Sequence, residues 1–281
     1  MPTPLADRLA VCSWSLKPTS PADLVAKMKR TGIDKLQLAL DPIREDDVWQ
    51  DAHRQLEQAG LKVIGGMMRC VGEDYTTLET IRRTGGLVPD ATWPDTWDHV
   101  QEMAPIAADL GLSYAMFHAG FLPHDPAYPS FHLVRQRVAR VADLFQKHGV
   151  RLGLETGQED ARTLLRFLQH LNHPNVGINF DPANMILYDK GDPVESLRLL
   201  APRVIQCHVK DAVRTAVPGE WGREVVVGTG QVDWRGFLRV LDEAGFDGYL
   251  SIEREFGDRV VEDIKDAKSY LANVECLSPN D

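Results

Sequence analysis

His148-Gly149-Val150-Arg151-Leu152-Gly153-Leu154-Glu155-Thr156 is the stretch from which the fold is read. A helical segment stops on Gly149, which takes a left-handed backbone at no steric cost. A short apolar run follows, and it ends on a carboxylate. The same punctuation recurs along the chain. Thr31-Gly32-Ile33 precedes the apolar run Leu36–Leu40, and Ala59-Gly60-Leu61 precedes Val63-Ile64. Leu110-Gly111-Leu112 precedes Tyr114–Phe117, and Ala244-Gly245-Phe246 precedes Tyr249–Ile252. Asn172-His173-Pro174 and Ala201-Pro202-Arg203 use Pro to the same end before two more strands. With the opening run Leu9–Trp14, about eight strand–helix units result. Alternating units of that number and total length point to a (β/α)8 barrel filling residues 1–281 as a single domain, with an open doubly wound sheet as the alternative. No Gly-rich dinucleotide turn supports the open sheet: Gly228-Thr229-Gly230 lacks the third glycine.

The segments between strands carry helical periodicity. Ser20-Pro21-Ala22-Asp23 opens a helix with a capping residue, a Pro and an acid. Val48, Ala52, Leu56 and Ala59 share one face, as do Val134, Val138, Val141 and Phe145, and Val260, Ile264, Ala267 and Leu271. Two connections are long. Arg69–Trp97 contains a short helix with Thr76 and Glu79 as its capping box. Asp211–Val232 holds Trp221, Arg223 and the Gly228-Thr229-Gly230 turn. Long loops at a barrel mouth are lids or binding loops.

Composition narrows the function classes. The net charge of −10 argues against a nucleic-acid surface, which needs cations to neutralise phosphates. The four cysteines lack CxxC spacing and read as reduced thiols. No signal-peptide core and no apolar run of membrane-spanning length is visible, so a cytoplasmic protein without a membrane partner is expected.

Four consecutive strands, the fifth to the eighth, end in metal-competent side chains: Glu155, Asp181, His208 and Glu253. Each has a plain structural reading. Asp181-Pro182 can be a helix cap, the glutamates can pair with Arg151 or Arg254, and His208 can be a core histidine. Neighbouring barrel strands, however, can bring the four to one point, and unpaired buried charge is costly. Oxygen-rich ligation with one imidazole suits a single divalent cation, Mn²⁺ first, with Mg²⁺, Co²⁺ or Zn²⁺ as alternatives. His118, at the fourth strand tip, and Lys210 and Arg214, after the seventh, are candidate substrate contacts. Trp14, Trp93 and Trp221 can stack on a sugar, whereas His53, His99, His148, His170 and His173 read as surface residues.

These tips resemble those of the xylose isomerase-like barrels, which include sugar isomerases, ketose 3-epimerases and endonuclease IV. The resemblance runs over essentially the whole chain. Leu154-Glu155-Thr156-Gly157-Gln158, Phe180-Asp181-Pro182-Ala183-Asn184, His208-Val209-Lys210-Asp211, Gly228-Thr229-Gly230-Gln231-Val232-Asp233 and Ser251-Ile252-Glu253 carry it. It implies that the four tip residues hold one metal, that Glu155 and Glu253 shuttle protons on the two faces of a sugar, and that Arg214 binds substrate. Asn184 stands where the nucleases, and many of the epimerases, carry a histidine, and the nucleases' Asp-x-His pair is missing, so a three-zinc phosphodiesterase is not expected. Ala161 stands where ketose epimerases carry a substrate-binding Glu, which counts against a free ketohexose. The expected activity is a divalent-metal-dependent sugar or sugar-phosphate isomerase or epimerase working through an enediolate. A lyase or dehydratase on keto-sugars, keto-inositols or 3-keto-glycosides is the alternative. The expected partner is a small carbohydrate, and a homo-oligomer is compatible with the sequence.

Overall fold

The computed structural model describes residues 3–276. Eight parallel strands close into a barrel: β1 (Leu9–Cys12), β2 (Lys35–Ala39), β3 (Lys62–Met67), β4 (Tyr114–Phe117), β5 (Arg151–Glu155), β6 (Val176–Phe180), β7 (Val204–Val209) and β10 (Leu250–Ile252). Around the ring the order is β1, β10, β7, β6, β5, β4, β3, β2, which is chain order once β8 and β9 are set aside. These two, Asp211–Val213 and Arg223–Val225, pair antiparallel in the loop after β7. The (β/α)8 architecture is therefore the observed one, and the open sheet is excluded by the β1–β10 pairing, Leu9 opposite Leu250 and Val11 opposite Ile252.

The helices ring the barrel because their apolar faces have nowhere else to go. Helix Ala161–Leu171 buries Leu164, Phe167, Leu168 and Leu171, one stripe at helical spacing. Each such side chain contributes about 1.5–3 kcal/mol relative to exposure. Val134, Val138, Val141 and Phe145 are buried as expected, and so are Ile264, Ala267 and Leu271. Val48 is not: it lies in a separate 3-10 turn, Asp47–Trp49, and is 54% exposed, while Trp49 goes into the core in its place. Ser20 caps helix Pro21–Thr31 by accepting from the Asp23 N–H at 3.2 Å.

Two loop expectations are corrected. The capping box lies one residue later, on Thr77 and Thr80, because the Asp74 carboxylate takes the Thr76 N–H at 2.9 Å. The connection also ends at Thr92, since helix Trp93–Asp109 already includes Trp97. Gly86 (φ +67°) then packs this loop against the tip of β4. A Cβ there would meet the Ala119 backbone at 2.1 Å, and the Leu87 N–H donates to Ala119 O at 3.0 Å. Among the described residues no helix is long and apolar enough to cross a membrane.

Candidate metal and active site

The C-terminal ends of β5, β6, β7 and β10 form one continuous arc of the ring, and each presents one ionisable side chain. Glu155 closes β5. Asp181 follows β6, where it also caps helix Pro182–Leu187: its Oδ1 accepts from the Ala183 and Asn184 N–H groups at 2.8 and 3.0 Å. The capping reading and the ligand reading of Asp181 are thus compatible, since the cap uses only one oxygen. Thr156 fixes the neighbouring turn, accepting from the Asp181 N–H at 2.8 Å. His208 sits inside β7, opposite Ser251, and Glu253 follows β10 with its N–H on Val209 O at 3.0 Å.

Ligand atoms of Glu155, Asp181, His208 and Glu253 lie within 4.8 Å of one another, and all four residues are buried. His208 Nδ1 is 3.1 Å from Glu155 Oε1, 3.2 Å from Glu253 Oε2 and 3.8 Å from Asp181 Oδ2. Its Nε2 faces away, 2.8 Å from Gln37 Oε1. Burial works against a charge on this imidazole, but Cys12, Glu155 and Glu253 lift it well above its ordinary range, so Nδ1 holds a proton among the carboxylates; a divalent cation bound here would take the place of that proton while Nε2 keeps its bond to Gln37. Glu155 Oε2 and Asp181 Oδ2 have no hydrogen-bond donor among the described residues. Their nearest cationic groups are at ion-pair distance, Lys210 Nζ 3.7 Å from Asp181 Oδ2 and His118 Nε2 3.5 Å from Glu155 Oε2, and buried carboxylate oxygens converging on one imidazole nitrogen are a donor set that can hold a divalent cation.

Electrostatics divide the carboxylates. Burial raises every one of them. At Glu253 it is overcome by Lys210 and His208, which hold the carboxyl well below its usual range. At Glu155 burial is offset by His118 and His208, and the carboxyl stays below its ordinary value. At Asp181 burial wins over the pull of Lys210. The Lys210 ammonium is buried, with Glu253 at 3.1 Å and Glu255 at 2.7 Å. Trp14 Nε1 donates to the other Glu253 oxygen at 2.7 Å, and Asn184 Nδ2 donates to Glu155 Oε1 at 3.1 Å.

Residues 23–277 match the family model described as xylose isomerase-like TIM barrel. The chain belongs to the xylose isomerase-like TIM barrel family. A solved xylose isomerase domain protein from Planctomyces limnophilus is 32% identical, with a TM-score of 0.85 over 95% of this chain and 96% of that one. A ketose 3-epimerase from Arthrobacter globiformis is 30% identical over 131 residues, 44% of this chain and 41% of that protein. The chain spans less than half the length of the curated relatives it matches. The probable 3-DHS dehydratase AsbF of Bacillus anthracis, 18% identical with a TM-score of 0.73 over 95% of this chain and 99% of that one, shares the fold.

Within this xylose isomerase-like barrel the other singled-out residues fall as follows. His118 lies 3.5 Å from Glu155 through Nε2, and its buried Nδ1 has no partner among the described residues. Arg214 instead bonds Asp189 and Gly191 O, outside the residues that line the mouth cavity. Trp14 and Trp221 line the cavity, whereas Trp93 packs against Trp97 and Arg137. His99 is not a surface residue: it is 5% exposed and 3.0 Å from the buried Asp41. Asp211 accepts from the Gly228, Gly230 and Val232 N–H groups and so shapes the turn after β9. A Cβ at Gly230 would stand 2.1 Å from that carboxylate, which accounts for the glycine.

Sequence reasoning missed the polar plug beneath the site. Gln206 Nε2 bonds Gln37 Oε1 and, at 3.1 Å, Ser251 Oγ, all fully buried. The signal was available. Gln206 stands two residues before His208, and strand side chains alternate, so both face inward. A glutamine at position 37 between two buried leucines is likewise a polar group that needs a partner.

Proposed function

We propose that the protein is a divalent-metal-dependent sugar isomerase or epimerase. One observation carries this reading. Glu155 and Glu253 stand at the two ends of the four-strand arc, each beside His208 Nδ1, with Asp181 between them. Glu155, Asp181, His208 and Glu253 would hold the cation. When bound there, it supplies Lewis-acid polarisation of a carbonyl and so acidifies the neighbouring C–H.

The rest falls to the chain's own groups. Glu253 is kept ionised by Lys210 and His208, and Glu155 by His118 and His208, so each is present as a carboxylate, a weak base that would serve because a bound cation acidifies the C–H it faces. One glutamate takes the proton from carbon on one face. The other returns a proton on the opposite face, which inverts that centre, or to the adjacent carbon, which moves the carbonyl. Protons and electrons balance without an external oxidant. Asn184 and Trp14 hold the carboxylates in place through the bonds given above.

One further observation favours a second reading, a lyase. His118 stands 3.5 Å from Glu155, so that base has a proton donor next to it. That donor can protonate a β-leaving group on the same face. Replacing each glutamate by Gln at saturating Mn²⁺ separates the readings. In a two-face epimerisation both variants lose about 10²-fold or more in turnover, and they retain C–H exchange with D₂O on opposite epimers. In an isomerase or a lyase one variant abolishes exchange and the other slows a later step, and a lyase alone releases an unsaturated keto product with new ultraviolet absorbance. Near wild-type turnover in both variants would overturn proton transfer by these residues.

A further inference from the structure

Lys210 directly follows β7, and its side chain, only 4% exposed, ends among the groups of the metal arc. Nζ donates to Glu255 Oε2 at 2.7 Å, to Glu253 Oε2 at 3.1 Å and to Asn184 Oδ1 at 3.4 Å. Asp181 Oδ2 is a fourth oxygen, at 3.7 Å. An ammonium has three N–H bonds, so these partners leave none for a substrate hydroxyl. Burial strips an ammonium of its hydration, so this lysine is not a solubilising charge.

Two of the four oxygens are shared with the imidazole. Glu253 Oε2 is 3.1 Å from Lys210 Nζ and 3.2 Å from His208 Nδ1. Asp181 Oδ2 is 3.7 Å and 3.8 Å from the same two atoms. Each stands between the imidazole nitrogen, where a divalent ion would displace the proton, and the ammonium. The oxygens of Glu255 and Asn184 complete the outer side, and Asn184 is held in place by its Nδ2 bond to Glu155 Oε1 at 3.1 Å. Oxygens shared between two adjacent positions, with further oxygens beyond, are how paired-cation sites are built. Asp181 gives an independent sign. It is fully buried, and its Oδ2 accepts no hydrogen bond among the described residues.

Charge leads to the same place. Glu155, Asp181, Glu253 and Glu255 bring four carboxylates to this corner. One divalent ion would offset two of those charges, and Lys210 offsets a third. Other nearby cations are engaged elsewhere: Arg254 pairs with Glu224 and Asp263, and Arg214 with Asp189.

We propose that the Lys210 ammonium is a built-in second cation. It fills the position bounded by Asp181, Glu253, Glu255 and Asn184, beside the divalent-ion position, and keeps a second divalent ion out. The neighbouring ion position rests on the metal reading given above. With the ammonium removed, the oxygen donors left there suit Mn²⁺ or Mg²⁺.

The test counts Mn²⁺ by equilibrium dialysis and reads the bound ions by electron paramagnetic resonance. Lys210→Ser, which removes the charge and opens the position, should bind one Mn²⁺ per chain more than wild type. Two ions sharing carboxylate oxygens couple magnetically, so the signal of isolated Mn²⁺ should fall in that variant. Adding Glu255→Gln, at a side chain 45% exposed, should weaken the extra ion at least about tenfold. The same count in Lys210→Ser as in wild type, an extra ion held equally well in the double variant, or a second Mn²⁺ in wild type would each overturn the proposal. The wild-type count depends on no variant, and far-ultraviolet circular dichroism checks that Lys210→Ser is folded. No arm needs turnover. A wild type that binds no Mn²⁺ would remove the proposed cofactor, whereas the present inference would still require Lys210→Ser to gain one ion.

Discussion

Replacing Asp181 by Asn and by Ala should separate the two jobs its carboxylate does. Oδ1 caps helix Pro182–Leu187 through two N–H bonds, while Oδ2 points into the cluster, 3.7 Å from Lys210 Nζ and 3.8 Å from His208 Nδ1. Asn keeps an oxygen for the cap and removes the charge, and Ala removes both. Loss of a cap costs about 1 kcal/mol, or roughly 2 °C in Tm for a chain of this size. In a chelator, Asp181→Ala should therefore melt roughly 2 °C below wild type. Asp181→Asn should melt at or above wild type, because burial makes this carboxylate costly to ionise. Mn²⁺ at a hundredfold excess over its Kd stabilises wild type by about 2.7 kcal/mol, roughly 5 °C at the same conversion. Both variants should lose most of that gain, since each lacks an anionic ligand. Differential scanning calorimetry in chelator and then in Mn²⁺ reads all of these quantities. An Asp181→Asn protein that keeps the full Mn²⁺ shift would refute the ligand role. Equal melting of the two variants in chelator would refute the cap.

Gln37→Met takes away the nearer of the two partners of His208 Nε2, Asn179 at 3.0 Å being the other, and should weaken Mn²⁺ binding by about 10–100-fold, measured by titration, while the chelated protein stays folded. Glu159 gives a pH signature. Burial pushes its carboxyl up to about 8 from an ordinary 4.5, and its Oε1 accepts from the Leu122 N–H at 2.6 Å. Between those values the folded chain holds a proton that the unfolded chain has released, so stability falls as pH rises through that window and levels off above it. Glu159→Gln should remove this slope; urea titrations at pH 5, 6.5 and 8 that show parallel wild-type and variant profiles would contradict the assignment. Gly230→Ala should unfold the turn held by Asp211, since its Cβ would lie 2.1 Å from that carboxylate, and limited proteolysis after residue 225 should report it.

The barrel was legible because its signals are local. Glycine stops, apolar runs and strand-end carboxylates repeat with little interference, and Glu155, Asp181, His208 and Glu253 needed only the neighbour rule of a closed sheet to be brought together. What stayed hidden depends on contacts between distant segments. Arg214 has the spacing of a substrate contact, and its pairing with Asp189 from the loop after β6 is not visible in that spacing. His99 looked like a surface histidine on a polar helix, but Asp41 meets it from the loop after β2. The mouth cavity could not be read at all, because Met67, Leu187 and Phe256 are unremarkable one by one and are united only by lining it.

The central claim is that this site moves a proton on carbon beside a carbonyl with a cation in place. Incubating the wild-type protein in D₂O with ketoses, keto-inositols and 3-keto-glycosides, and following the carbon-bound protons by NMR, tests it directly. Deuterium should enter at a single carbon next to the carbonyl of at least one member of the panel, an exchange abolished by chelation and restored by Mn²⁺. Exchange that survives complete chelation, or no exchange in any member of the panel with Mn²⁺ bound, would contradict it.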